Sequence, residues 1–282
     1  MRIRSAMIDI DAITTNLEQD ERGVWMPKGR SSVSYPEDGN ARSRRLEEES
    51  FWFNHRNACI VAAAKTFPPD GTVFDIGGGN GYVSLALLRA DCAAVLVEPG
   101  LEGVENARVR GVAPIIAAAL DDTGFRPGSL PAAGLFDVIE HIEDDATFLR
   151  SVHDAMTTGG RLYVTAPAYS FLWSNEDRRA GHYRRYTAAG LARRLDGAGF
   201  DTEFATYIFE FLPAPIFLLR TVPTHLRIRR TSEFQRIQRE HRSAGGLVSR
   251  LQQWSFRREL EAIRAKRALP FGGSCLVIAR AR

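Results

Sequence analysis

The chain has 282 residues, 44% apolar and 25% charged, with a formal net charge of only +3. Such a length supports a sizeable core, and the composition excludes a disordered or fibrous chain. Three widely spaced cysteines, Cys59, Cys92 and Cys275, form no Cys-x-x-Cys pair. That argues against a disulfide framework and a zinc cluster, and it suits a reducing cytoplasm.

Residues 1–45 are polar and mixed in charge, with turn formers at Ser31-Ser32, Pro36 and Asp38-Gly39-Asn40. They read as a loosely ordered arm. No apolar run follows a basic start, so no signal peptide is expected. Glu47 to Phe67 predicts a helix stopped by Pro68-Pro69, with Phe51, Trp52, His55 and Arg56 on one face.

Val73-Phe74-Asp75-Ile76 is an apolar strand carrying one acid, and Gly77, Gly79 and Gly81 follow at every second position before a helical run from Tyr82. Glycines at that spacing allow a sharp bend and close approach of a ligand, and the helix start offers free N–H groups. The loop reads as a nucleotide cradle. It departs from the dinucleotide pattern Gly-x-Gly-x-x-Gly, because the sixth position counted from Gly77 is Tyr82 and from Gly79 is Ser84. Ala93 to Val97 predicts the next buried strand, ending in Glu98-Pro99. A carboxylate there can accept both hydroxyls of a ribose.

Ile115-Ile116 predicts a third strand, followed by Leu120, Asp121 and Asp122. Leu130-Pro131 opens the fourth, with the proline expected at its first position because it cannot donate to the ladder. Leu135-Phe136-Asp137-Val138-Ile139-Glu140-His141 closes it, and Gly159 to Pro167 predicts a fifth strand entered through a glycine turn. The segment after it, Ala168 to Tyr186, is long and carries Trp173, His182, Tyr183, Arg184, Arg185 and Tyr186. A connector of that length and composition is usually functional. Its arginines suit a phosphate or carboxylate on a substrate, and the alternative is that His182 and the tyrosines pin the loop. Thr187 predicts an N-cap for a helix over Ala188 to Asp196.

Taken in order, the glycine loop with Asp75, the acid at Glu98, the Asp137-to-His141 segment and the strand ending at Pro167 resemble the class I S-adenosylmethionine-dependent methyltransferases. Within them the resemblance is to the ubiquinone-biosynthesis-like branch. It implies an α/β fold: a Rossmann-like doubly wound sheet of seven strands with an antiparallel last strand. Thr202 to Ile208 then stands as strand six and Ser274 to Ala279 as strand seven. The resemblance also implies an enzyme that binds S-adenosylmethionine through Asp75, Gly77, Gly79, Gly81, Glu98, Pro99 and Asp137. Asp75 would support the turn and the cofactor amine, and Leu120 or Asp121, together with backbone groups, would meet the adenine. Arg56 either pairs with the methionine carboxylate or stays solvated. His141 and His182 are the candidate general bases, and Trp173, Tyr183, Arg184, Arg185 and Tyr186 the candidate acceptor contacts.

The family often joins strands six and seven by a short hairpin, whereas more than sixty residues intervene here. Phe209 to Leu219 is apolar and twice interrupted by proline. Residues 220–270 then hold 13 Lys and Arg against 4 Glu, a net of +9, which leaves −6 for the rest of the chain. The organisation reads as an arm over 1–45, a core with its capping helix over 46–208, an apolar and basic helical insertion over 209–270, and a last strand over 271–282. The insertion is a lid, a peripheral contact for anionic lipid, or a cover that helps a homodimer form. Nucleic acid is disfavoured, since neither an Asn-Pro-Pro-Tyr-like motif nor a Pro-Cys nucleophile occurs. The expected acceptor is a small molecule, a glycan or a lipid-linked compound. A non-catalytic cofactor-binding scaffold and an NAD(P)-dependent oxidoreductase are the alternatives.

Overall fold

The computed structural model describes residues 8–28, 47, 50–226 and 247–282. Its central strands are β3 (Val73–Ile76), β4 (Ala94–Val97), β5 (Ile115–Ile116), β6 (Leu130–Phe136), β7 (Met156–Pro167), β8 (Phe200–Ile208) and β9 (Ser274–Ala281). Every residue of β3 and β4 is buried. Continuous apolar runs of this kind belong to parallel strands covered on both faces. Strands β3 to β7 run parallel to their neighbours, whereas β9 is antiparallel to both β7 and β8.

Two further strands, β1 (Leu17–Gln19) and β2 (Val24–Pro27), extend the sheet, preceded by the single-turn helix α1 (Ile10–Ile13). The full order is β1-β2-β5-β4-β3-β6-β7-β9-β8, so the sheet has nine strands where seven were expected. The extra pair comes from the polar arm. Asp20 Oδ1 accepts from the backbone N–H groups of Arg22 and Val24, each at 2.9 Å, and closes the hairpin around Gly23 at φ +80°. Val24 and Trp25 then pair in parallel with Ile115 and Ile116. The arm's other described contacts hold the exit of β5, with Asn16 donating to the Asp122 carbonyl at 2.8 Å. Residues 1–7 and 29–46 of the arm lie outside the described residues.

Helix α2 (Phe51–Thr66) starts four residues later than Glu47, because Ser50 caps it by accepting from Trp52 N. Helix α3 (Tyr82–Arg89) follows β3 and α4 (Leu101–Val109) follows β4. Helices α5 (Asp145–Ala155), α6 (Asn175–Arg179) and α7 (Ala188–Gly197) complete the crossovers, α7 capped by Thr187 as expected. Pro131 is the second residue of β6, not its first, and the pairing with β7 shifts register there, which removes the need for a proline N–H.

One core packs α5 and α7 on Phe74, Leu135, Val164 and Val277; the opposite core packs α2 and α3 on Val73, Tyr163 and Ile278. The alternation of Val277 and Ile278 between the two cores is the pleat of β9. The insertion supplies α8 (Pro213–Ile216), a π-helical turn over Phe217–Thr221, α9 (Val222–His225) and α10 (Leu247–Arg264). Ile263 of α10 joins the α2 core. Residues 227–246, which hold much of the basic stretch, lie outside the described residues.

Candidate active site

The loops leaving β3, β4, β5, β6 and β7 gather at the carboxyl end of the parallel strands, where open α/β sheets take ligands. Gly77, Gly79 and Gly81 adopt φ of +72°, +56° and +69°, a region costly for residues with a Cβ. Two of the three are enclosed. A Cβ on Gly77 would meet Val138 at 3.0 Å, and one on Gly81 would meet Ala107 at 2.7 Å. On Gly79 it would meet nothing within 4 Å, so the space above that residue is open.

Glu98 reaches this loop from the end of β4. Its Oε2 accepts from Gly79 N at 2.8 Å and its Oε1 from Gly100 N at 2.7 Å. A carboxylate has about four acceptor positions, so these bonds leave room for hydroxyl donors. Burial raises the Glu98 pKa against the opposing pull of the Gly100 and Gly79 amides. Pro99 follows it, partly buried. Asp75 is wholly buried, and Ser84 donates to its Oδ2 at 2.6 Å. Its Oδ1 has no partner among the described residues. Burial pushes Asp75 up to about 6, against the Ser84 bond and the Arg56 charge. Behind the loop, Arg110 pairs with Glu47 at 2.6 Å and donates to the Asn80 carbonyl at 2.9 Å.

Arg56 is 7% exposed and pairs with Asp137, while its guanidinium lies 4.9 Å from the Trp52 ring centroid. Asp137 takes φ +58°, and Thr165 donates to its Oδ1 at 3.1 Å. The cation of α2 is therefore held at the exit of β6. Leu120 and Asp121 lie in a single turn after β5, partly buried and exposed respectively.

Beyond Asp137 the chain places Glu140, His141 and His182 together. The two imidazoles meet edge to face with centroids 4.7 Å apart. His182 Nδ1 lies 3.0 Å from Asp177 Oδ1, and Arg185 binds the same carboxylate through Nε at 2.7 Å. Despite burial, His182 and Arg185 hold Asp177 below the usual carboxylate range. Desolvation and then His182 hold the His141 pKa below the ordinary histidine value. Glu140 is 1% exposed and its Oε2 is unpartnered among the described residues. Burial, then Asp137, raise its pKa well above the carboxylate range. Ligand atoms of Glu140, His141 and His182 lie within 4.8 Å of one another, as do those of His55, Cys59 and Glu259. Either set has the donors a cation would need. In the second, Glu259 is already filled by Phe209 N, Glu210 N, Ser255 Oγ and His55.

The acceptor candidates separate. Tyr183 is 51% exposed and Trp173 is half-buried. Arg184 pairs with Asp145 at 3.0 Å, Arg185 with Asp177, and the Tyr186 hydroxyl donates to Asp145 at 2.8 Å, so all three brace the loop from within. Sequence reasoning named neither Asp177 nor Glu140 as a site residue. Asp177 is the last member of the capping box Ser174-Asn175-Glu176-Asp177, a pattern legible in the chain.

A methyltransferase-domain family model matches residues 52–203, more than half of the chain. Over 191 residues the chain is 28% identical to a probable S-adenosylmethionine-dependent methyltransferase of Mycolicibacterium smegmatis, covering 65% of this chain and 72% of that protein. It is 25% identical over 109 residues to a ubiquinone biosynthesis O-methyltransferase of Xanthomonas campestris, covering 36% of this chain and spanning only 46% of that enzyme's length. In fold it is similar to phosphoethanolamine N-methyltransferase 2 of Haemonchus contortus solved with S-adenosyl-L-methionine. There the TM-score is 0.52 at 17% identity, over 90% of this chain and 61% of that one.

Proposed function

The chain belongs to the methyltransferase-domain family and is an S-adenosylmethionine-dependent methyltransferase, and we propose that it methylates a hydroxyl or amine with His182 as general base. The observation that carries this reading is the His182–Asp177 pair beside the buried Glu140 carboxyl, whose Oε2 has no partner among the described residues. Bound S-adenosylmethionine supplies an electrophilic methyl group on a sulfonium sulfur.

The residues at the glycine loop fit that cofactor. The open space at Gly79 would admit its methionine part, the Asp75 Oδ1 would accept from its ammonium, and Glu98 would accept from its ribose hydroxyls. Leu120 and Asp121 would meet the adenine, and Arg56, held by Asp137, would meet the carboxylate. At the other end, Asp177 fixes the His182 tautomer through Nδ1, which leaves Nε2 to take the acceptor's proton. Tyr183 and Trp173 line the approach. The acceptor is a small molecule, a glycan or a lipid-linked compound.

Isothermal titration with S-adenosylmethionine followed by a radiolabelled methyl-transfer screen tests the reading. Binding with turnover supports it; binding without turnover on any acceptor class makes the chain a scaffold.

Asp75 sets a pH dependence. Its carboxyl holds its proton up to about pH 6, so affinity for the cationic cofactor is expected to rise as pH passes upward through that value. Stability of the ligand-free chain moves the other way. A carboxyl raised from 3.8 to about 6 binds its proton more tightly when folded, so stability falls as pH climbs between those values. Asp75→Asn flattens both profiles. Calorimetric titration and thermal melting over a pH series read the two effects, and a flat wild-type affinity profile would remove Asp75 from cofactor binding.

A further inference from the structure

The helical start of the insertion is apolar on its outer side. Phe217, Leu218 and Leu219 are 41%, 63% and 45% exposed, and Leu226 is 65% exposed, whereas Pro213, Thr221 and Pro223 face inward. A helical segment on a globular surface normally shows the reverse arrangement. The apolar surface is continuous with the loop after β7. The Phe171 and Phe217 rings are 6.2 Å apart, and Tyr169 links Phe171 at 5.2 Å to Phe271 at 5.1 Å. Phe171 and Phe271 are themselves 53% and 42% exposed. Contiguous exposed apolar surface of this kind marks an interaction site.

We propose that this ridge seats the enzyme on an anionic lipid bilayer and opens the acceptor loop toward it. Charge selects that occupant. The insertion carries a net +9 over residues 220–270, and Arg250, Arg257, Arg258, Arg264, Lys266 and Arg267 within it are exposed. A two-fold dimer would pair two chains that carry the same positive excess, whereas an anionic surface complements it. On α10, Trp254 is 58% exposed with the Arg258 guanidinium 5.7 Å from its ring centroid. An indole beside a cation suits the headgroup layer. No described helix is long and apolar enough to cross a membrane, so the ridge lies on the surface and does not span it.

The ridge also borders the candidate acceptor site. Glu176 of α6 pairs with Arg220 at 2.6 Å, and Thr224 accepts from Asn175 N at 3.2 Å, which ties the insertion to the loop that carries His182. An amphiphilic acceptor held in the bilayer would therefore meet the site without leaving the lipid. This last step rests on the methyl-transfer reading, whereas the surface itself does not.

The test is sedimentation of the full chain with vesicles of phosphatidylcholine, with and without phosphatidylglycerol. Binding is expected with phosphatidylglycerol and is expected to fall at least about tenfold without it, or in 1 M salt. The double variant Leu218→Glu, Leu219→Glu is expected to lose vesicle binding by a similar factor. Both positions are exposed, so its circular dichroism and its affinity for S-adenosylmethionine in free solution stay at wild-type values. Vesicle binding by the variant equal to wild type would overturn the proposal. So would no binding to either vesicle, retention by DNA in place of vesicles, or a soluble dimer that the variant splits. The solution titration with S-adenosylmethionine contains no lipid, so loss of the methyltransferase reading and loss of the surface are separate results.

Discussion

Replacing His182 by alanine is expected to slow methyl transfer about 10²–10⁴-fold, the range spanned by positioned proton-transfer groups, while S-adenosylmethionine affinity stays within about threefold. The imidazole bonds to Asp177 within its own loop, and among the described residues the bonds of Gly79, Asp75 and Glu98 run elsewhere, so removing it spares the cofactor cradle. Asp177 offers a second reading of the same role. Asp177→Asn weakens the hold on the histidine's N–H and lowers turnover in the same direction, and it also loosens the Arg185 pair, so its melting temperature falls too. A structural role for His182 would instead appear in the melting temperature of His182→Ala. Single-turnover transfer rates with thermal melts separate the two, and wild-type rates in both His182→Ala and His141→Ala would remove the general base from the mechanism.

Glu259→Ala is expected to destabilise the fold by about 3–5 kcal/mol, because it leaves several buried hydrogen-bonding groups unpaired at about 1–3 kcal/mol each. The carboxylate is fully buried and accepts from Phe209 N at 2.7 Å, Glu210 N at 2.9 Å and Ser255 Oγ at 3.2 Å, with His55 Nε2 at 2.7 Å. Two backbone amides at the exit of β8 lose their partner at once, and the buried His55 ring loses its hydrogen bond. Phe256 stacks on that imidazole at 3.6 Å, so α10 loosens from α2 as well. Urea unfolding measures the loss; a change below about 1 kcal/mol would mean the cluster is dispensable. Arg56 follows His55 in α2, so the same variant is also expected to weaken the Arg56–Asp137 pair at the site.

What the chain disclosed in advance was local. The acid, bend and helix of residues 73–89 lie within one βα unit, and glycines at alternate positions have few uses, so Asp75, Gly77, Gly79 and Gly81 were legible. Glu98 was legible because the end of a buried apolar run fixes where its side chain emerges. Long-range partners were not. Nothing near Arg56 in sequence indicates Asp137, 81 residues away, and nothing near His55 indicates Glu259, 204 residues away. The hairpin of β1 and β2 escaped for a related reason. Its strands are only three and four residues long, and Val24 and Trp25 become strand by pairing with the edge of β5, which only the fold presents. In the loop after β7 the arginines suggested ligand contacts, yet acids from α5 and α6 claim them. Residue type announced a charge; only the fold supplied its counter-charge.

The place of β9 in the sheet orders events during synthesis. It lies between β7 and β8 although it is made after the whole insertion. Until it emerges, one edge of β7 and all of β8 have bare amides and carbonyls. Closing that gap means looping out the stretch between Ile208 and Ser274, an entropic cost that grows only slowly with length. Two of the nine strands thus wait on the last one made, and a ribosome stalled inside the insertion would leave a sticky, open-edged platform exposed to wrong partners.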